Sequence, residues 1–147
     1  MFNLLNKIFY LSKNLNVVSS KFSMLKKETS IEKIFEAIEN YSEDAEVRYV
    51  GGCIRKILNN EKVEDIDLAT NIEPIKVKSA LQKNGINFYE TGMTHGTITA
   101  SIENEKYEIT SLRNDVSTDG RHAKVEFTKN WLQDAKRRDF TINSIYS

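Results

Sequence analysis

Val47-Arg48-Tyr49-Val50-Gly51-Gly52-Cys53-Ile54-Arg55, followed across a polar loop by Asp65-Ile66-Asp67-Leu68-Ala69-Thr70, is the stretch whose reading decides the fold. Val47 to Val50 reads as a short strand that ends at two glycines, and Cys53 to Leu58 as a helix entered straight from that turn. Asn59 to Glu64 is polar and fits a loop, and Asp65 to Ala69 fits a second strand. Two acids separated by one apolar residue point to the same side of a strand, roughly 6.5 Å apart along it. Like charges that close need a compensating cation, so the pair points to divalent metal chemistry on phosphates. The Gly51-Gly52 turn lets backbone amides approach an anion, and Arg55 one turn into the helix supplies a forked cation. Each part also has a plain reading: a glycine pair marks many tight turns, and an isolated Asp-x-Asp is often two solvated residues.

Outward from this centre, helices and strands mix without regular alternation. Ile31, Ile34, Phe35 and Ile38 place one apolar face on a helix ending near Tyr41, with Thr29 and Glu32 spaced as a capping box. Pro74 opens a helix that closes at Asn84-Gly85, where Gly85 is the expected C-terminal cap. Ile86 to Tyr89, Thr97 to Ile102 and Lys106 to Leu112 are β-rich, the last two joined across Glu103-Asn104-Glu105 as a hairpin. Asn114 to Lys124 is polar with one glycine and reads as a loop. Leu132 to Arg138 reads as helical, and Asp139 or Thr141 then caps a further helix. The pattern predicts an α+β domain on one small sheet. Glu108, between Tyr107 and Ile109, is the best candidate for a third acid on a neighbouring strand.

Composition narrows the classes. A chain of 147 residues with 39% apolar side chains builds one real core. Its net charge is zero, but residues 1–27 hold five lysines and no acid, leaving 16 basic against 21 acidic side chains thereafter. Overall charge therefore gives no argument for nucleic acid, and any such site must rest on local groups such as Lys136-Arg137-Arg138. One cysteine, Cys53, with no Cys/His ligand spacing elsewhere, excludes a disulfide framework and structural zinc. It suits a reducing compartment, and a cytoplasmic location is expected. Asn3, Asn6 and Lys7 break the N-terminal apolar stretch well short of a membrane span. Leu4, Ile8, Leu11, Leu15, Val18, Phe22 and Leu25 would form one stripe on a surface or partner-packed helix. A basic presequence, or a true start at Met24, are the alternatives for this segment.

The motifs taken in order have a known likeness. Gly51-Gly52-Cys53-Ile54-Arg55, Asp65-Ile66-Asp67-Leu68-Ala69-Thr70, His95-Gly96-Thr97, Glu108-Ile109-Thr110-Ser111-Leu112-Arg113 and Arg137-Arg138-Asp139-Phe140-Thr141-Ile142-Asn143 resemble the catalytic head of class II tRNA nucleotidyltransferases. These are the CCA-adding enzymes, and bacterial poly(A) polymerases look very similar over this region. The resemblance covers about residues 46–147. It implies a polymerase-beta-like head, a small mixed sheet flanked by helices; the head domain is expected at 29–147, truncated before the neck and tRNA-binding regions, with 1–28 as a basic extension. It implies further that Asp65 and Asp67 bind catalytic Mg²⁺, with Glu108 as the third carboxylate. By the same likeness, Gly51, Gly52, Arg55, Arg113, Arg138, Asp139 and Asn143 hold the incoming ATP or CTP, whose acceptor is the 3′ end of tRNA or another RNA.

Two departures stand out. Lys56 occupies a place where the family usually has an aspartate, and Ala123 one where proline is common after Asp119-Gly120-Arg121-His122. In the family, the segment that reads the base and the helical regions that grip tRNA follow the last motif present here. Either a second polypeptide supplying them or a decayed or truncated gene product is therefore expected, and a non-catalytic nucleotide- or RNA-binding subunit is the alternative from another class. His95 fits a structural turn better than a general base. Trp131 and Phe127 are expected as core or surface cover rather than base-stacking platforms.

Overall fold

The computed structural model describes residues 16–27, 29–118 and 123–138. Expectations resting on Asp139, Thr141, Asn143, His122 and the first half of the N-terminal stripe fall outside them. Residues 16–27 form helix α1, followed by α2 (Ile31–Glu39), β1 (Val47–Val50), α3 (Gly52–Leu58), β2 (Asp67–Thr70), α4 (Pro74–Lys83) and β3 (Asn87–Gly92). A 3-10 turn at Met93–His95 leads into β4 (Thr97–Ile102), β5 (Glu105–Ser111), β6 (Arg113–Thr118), β7 (Ala123–Phe127) and α5 (Trp131–Lys136). Five strands form one mixed sheet in the order β1-β2-β5-β4-β3, and β6 pairs with β7 in a separate ribbon. The expected α+β class is what the chain forms.

The sheet's two faces divide the work. Strand alternation sends Leu68, Ile98 and Ile109 to one face, where each is 0% exposed, together with Ala100 and Tyr107. Burial of each large aliphatic stabilises the fold by about 1.5–3 kcal/mol. Ile31, Ile34 and Ile38 of α2 and Val77 and Leu81 of α4 complete that core, because each set recurs at helical spacing. Two members of the N-terminal stripe join it: Phe22 and Leu25 of α1 pack on the core, with the Phe22 ring 5.1 Å from Tyr49. The opposite face carries Asp67, Glu108, Thr110 and Thr97, and a smaller cluster of Val50, Ala69, Leu112 and Trp131 closes one end of it. Trp131 is thus cover, as expected, and the Arg48 guanidinium lies 4.1 Å over its ring.

Three local readings are corrected. The polar stretch 114–124 lies largely in the β6–β7 ribbon: a two-stranded ribbon is held by backbone hydrogen bonds and needs no alternating apolar face. The capping box does not form, since Ser30 is the N-cap of α2 with no side-chain capping bond, and Thr29 Oγ1 instead donates to Leu25 O at 2.7 Å. Asp65 lies in coil, because β2 begins only at Asp67. Gly85, by contrast, ends α4 at φ +68°, as the sequence predicts.

Candidate active site

Register builds the site. β1 runs antiparallel to β2 with Val50 opposite Asp67, so the Gly51-Gly52 turn begins one residue from the strand neighbour of Asp67. On the other side β2 and β5 are parallel with Asp67 opposite Glu108, which sets two carboxylates side by side on one face. β4 continues the row, pairing Thr97 with Thr110, whose hydroxyl oxygens are 3.0 Å apart. Gly51 has φ +74° and ψ −130°, a conformation that L side chains rarely adopt, which explains why glycine initiates this turn. Beneath it the buried Cys53 thiol donates to Val50 O at 3.3 Å and lies 3.9 Å from Asp67 O, joining the turn to the acidic strand. Burial pushes that thiol's pKa upward.

A cleft of about 710 Å³ opens over this face, and its lining includes Val50, Gly51, Gly52, Asp67 and Glu108 together with Arg113, Arg137 and Arg138, as well as His95 and Asp115. Burial, then the Glu108 carboxylate, then Asp65 push the Asp67 carboxyl above the ordinary carboxylate value, while Arg138 pulls it down. Asp65 itself is exposed and off the cleft wall, but near enough for its charge to act on Asp67. Burial, then the charge of Arg137, lower the Arg113 guanidinium, and Asp115 opposes the shift from 3.8 Å. Arg113 also donates through Nη1 to the carbonyl of His95, so His95 serves the turn through its backbone. Gly96 follows with φ +85° and the Phe127 ring where a Cβ would stand, 2.8 Å away.

The structure therefore brings Gly51, Gly52, Asp67, Glu108, Arg113 and Arg138 around one cleft. It leaves Arg55 exposed in α3 and away from the cleft walls, and Asp139 and Asn143 lie beyond the described residues. No three His, Cys, Asp or Glu side chains among the described residues converge into a closed metal-binding group. Asp134 was missed by sequence reasoning. It is 0% exposed in α5 and accepts from Arg113 N (3.0 Å), Arg137 Nε (2.9 Å) and Arg138 Nε (3.0 Å). The available signal was its helical spacing to the arginine pair, three and four residues on. Asn130 starts that helix, its Oδ1 accepting from Leu132 N and Gln133 N at 3.0 and 3.2 Å.

Comparison with known proteins agrees with this architecture. The family described as Poly A polymerase head domain matches residues 47–147. The CCA tRNA nucleotidyltransferase 1, mitochondrial, of Homo sapiens is 51% identical over 105 residues, 71% of this chain and 24% of that protein. The CCA-adding enzyme of Lactobacillus gasseri is 39% identical over 102 residues, 68% of this chain and 25% of its own length. The chain thus spans about a quarter of the curated relatives it matches. Among solved structures, the Bacillus stearothermophilus CCA-adding enzyme in complex with CTP superposes with a TM-score of 0.64 at 27% identity, covering 77% of this chain and 25% of that one. By its ordered motifs, its sheet and its match over residues 47–147, the chain belongs to the poly A polymerase head-domain family, with CCA-adding tRNA nucleotidyltransferases among its relatives.

Proposed function

We propose that the cleft is a nucleotidyltransfer site that joins a nucleotide to an RNA 3′-hydroxyl, of the CCA-adding type, with tRNA as acceptor and ATP and CTP as donors. The observation that carries the reading is that one cleft gathers both charges: Asp67 and Glu108 in register, with Arg113, Arg137 and Arg138 in the same lining. Paired carboxylates suit a divalent cation and guanidiniums suit a triphosphate, and both are required together when phosphate is transferred.

The donor set fits Mg²⁺. A half-buried Asp67 whose carboxyl is raised by two neighbouring carboxylates is relieved by a cation, and Mg²⁺ is usually held by one or two carboxylates plus substrate phosphates rather than by a closed protein cage. Asp65 and Asp67 would hold the metal, with Glu108 beside them. Bound there, it would lower the pKa of the attacking hydroxyl and neutralise phosphate charge. The chain's own contribution is placement. Gly51 and Gly52 present backbone without side chains, so a triphosphate approaches the turn closely. Arg113, Arg137 and Arg138 orient its oxygens and offset the charge that moves onto the departing pyrophosphate. Arg55 acts at longer range, and Asp139 and Asn143, one and five residues after Arg138, lie where the family resemblance puts the nucleotide sugar.

The test is incorporation of labelled CTP or ATP into tRNA lacking its 3′ end, with Mg²⁺, by the chain alone and with a second polypeptide carrying the base-reading and tRNA-binding regions. Incorporation that stops after CCA and disappears in Asp67→Ala supports the proposal; continued addition of A alone favours poly(A) synthesis. Equal incorporation by wild type and Asp67→Ala rejects the site. The cytoplasmic location belongs to this proposal, and fractionation of tagged protein tests it against the mitochondrial location named for the human relative.

A further inference from the structure

Asp134 is the one aspartate or glutamate among the described residues that is fully buried, and it bonds to arginines of the cleft lining without lining the cleft itself. Its oxygens are divided between two segments of chain. Oδ1 accepts from Arg113 N at 3.0 Å and Arg137 Nε at 2.9 Å, and Oδ2 takes Arg138 through Nε and Nη2, both at 3.0 Å. An exposed i,i+4 pair on a helix contributes little and fixes little. A carboxylate with no exposure is different, because it must satisfy its charge within the fold and so dictates where its donors stand.

We propose that Asp134 is a positioning residue for triphosphate recognition, an inference that rests on the nucleotide-transfer reading above. It ties the backbone at Arg113 to the arginine pair at the end of α5, and so fixes two guanidiniums in the cleft lining that Arg113 shares. Left alone they would separate, since like charges repel and arginine side chains are long with many rotamers. Held through their Nε atoms by a buried anion, Arg137 and Arg138 have lost that freedom before the nucleotide arrives, and binding does not have to remove it again.

The test combines a spectroscopic signature with binding by the full chain. In ¹⁵N-arginine-labelled wild type, the Nε–H resonances of Arg137 and Arg138 exchange slowly with water. Asp134→Asn abolishes both while the amide signals of β4 and β5 stay in place. Mg-ATP and inorganic tripolyphosphate then bind about tenfold or more weakly, as expected when charge-assisted bonds lose their alignment. In an Arg138→Gln background, Asp134→Asn weakens binding by a clearly smaller factor. An equal factor in both backgrounds means that Asp134 acts only on stability and overturns the proposal. If Asp134→Asn does not fold, Arg138→Lys supplies the measurement: it keeps the charge but cannot make the forked contact, and full tripolyphosphate affinity in it overturns the proposal. Fast-exchanging Nε–H groups in wild type refute the arrangement itself. Slow exchange in a wild-type chain that binds neither probe refutes the nucleotide reading beneath it.

Discussion

Adding one methyl group at each glycine of the cleft separates backbone strain from steric exclusion. Gly51 stands at φ +74° with nothing within 4 Å of an added Cβ, so Gly51→Ala costs only the strained conformation, about 1–3 kcal/mol. Gly52 has the same open surroundings and no positive φ, and it is the first residue of α3. Gly52→Ala therefore leaves stability unchanged or raises it by up to about 1 kcal/mol, since alanine is the better helix former. Gly96 carries both burdens: φ +85°, and a Cβ only 2.8 Å from Phe127 Cε1. Strain of about 1–2 kcal/mol and displacement of the ring by about 1 kcal/mol or more make Gly96→Ala the most damaging of the three. Urea unfolding at constant m-value measures all three. For a domain of this size each kcal/mol moves Tm by about 2–4 °C, so the variants separate in thermal melts as well. Because Gly52 lines the cleft, Gly52→Ala is also expected to fold normally yet bind Mg-ATP at least about fivefold more weakly, a loss of about 1 kcal/mol. Equal destabilisation by Gly51→Ala and Gly52→Ala would refute the reasoning, because only one of the two sites has the strained backbone.

Other expectations follow from the buried polar groups and the second core. Asp67 has its folded-state pKa raised above 3.8 by burial, Glu108 and Asp65, so its stabilising contribution is complete below that value and is lost as pH rises through the folded pKa. Asp67→Asn removes this loss: its Tm advantage over wild type is larger at pH 7 than at pH 3, and a gap independent of pH sinks the idea. The Tyr49 hydroxyl is buried with no hydrogen-bond partner among the described residues, and burial pushes its pKa up to about 12. Tyr49→Phe is accordingly neutral or stabilising by up to about 1 kcal/mol in denaturant titration, and a loss above about 1 kcal/mol contradicts this. Trp131→Ala removes the cap on Val50, Ala69 and Leu112 and the ring beneath Arg48, with an expected loss of about 2–3 kcal/mol in the same assay. A loss under about 0.5 kcal/mol would show that this end of the site is held by something else.

How far the chain could be read depended on the range of the interaction behind each feature. Strand β1, the glycine turn, helix α4 with its Gly85 cap and the hairpin at Glu103-Asn104 are local: propensity, periodicity and tolerance of positive φ lie within a few neighbouring residues. The β6–β7 ribbon escaped notice because its polar strands carry no alternating pattern, and pairing across it is a property of two segments rather than one. The capping box failed for a similar reason. Thr29 turned back to Leu25, and Ser30 Oγ found Glu103 Oε2 at 2.9 Å, a partner 73 residues away that no local motif announces.

For the site, residue type and spacing nominated Gly51, Gly52, Arg55, Asp65, Asp67 and Glu108, through backbone freedom at the glycines and charge on the other side chains, and the family resemblance added Arg113, Arg138, Asp139 and Asn143. Only the tertiary structure decided which of them meet. Parallel pairing of β2 with β5 put Asp67 against Glu108, while Asp65 remained in coil and Arg55 faced solvent. Full burial distinguished Asp134 from the other acids among the described residues. The physical reason is that spacing along the chain specifies chemistry and local conformation, whereas register, desolvation and charge coupling arise between segments that the fold alone brings together.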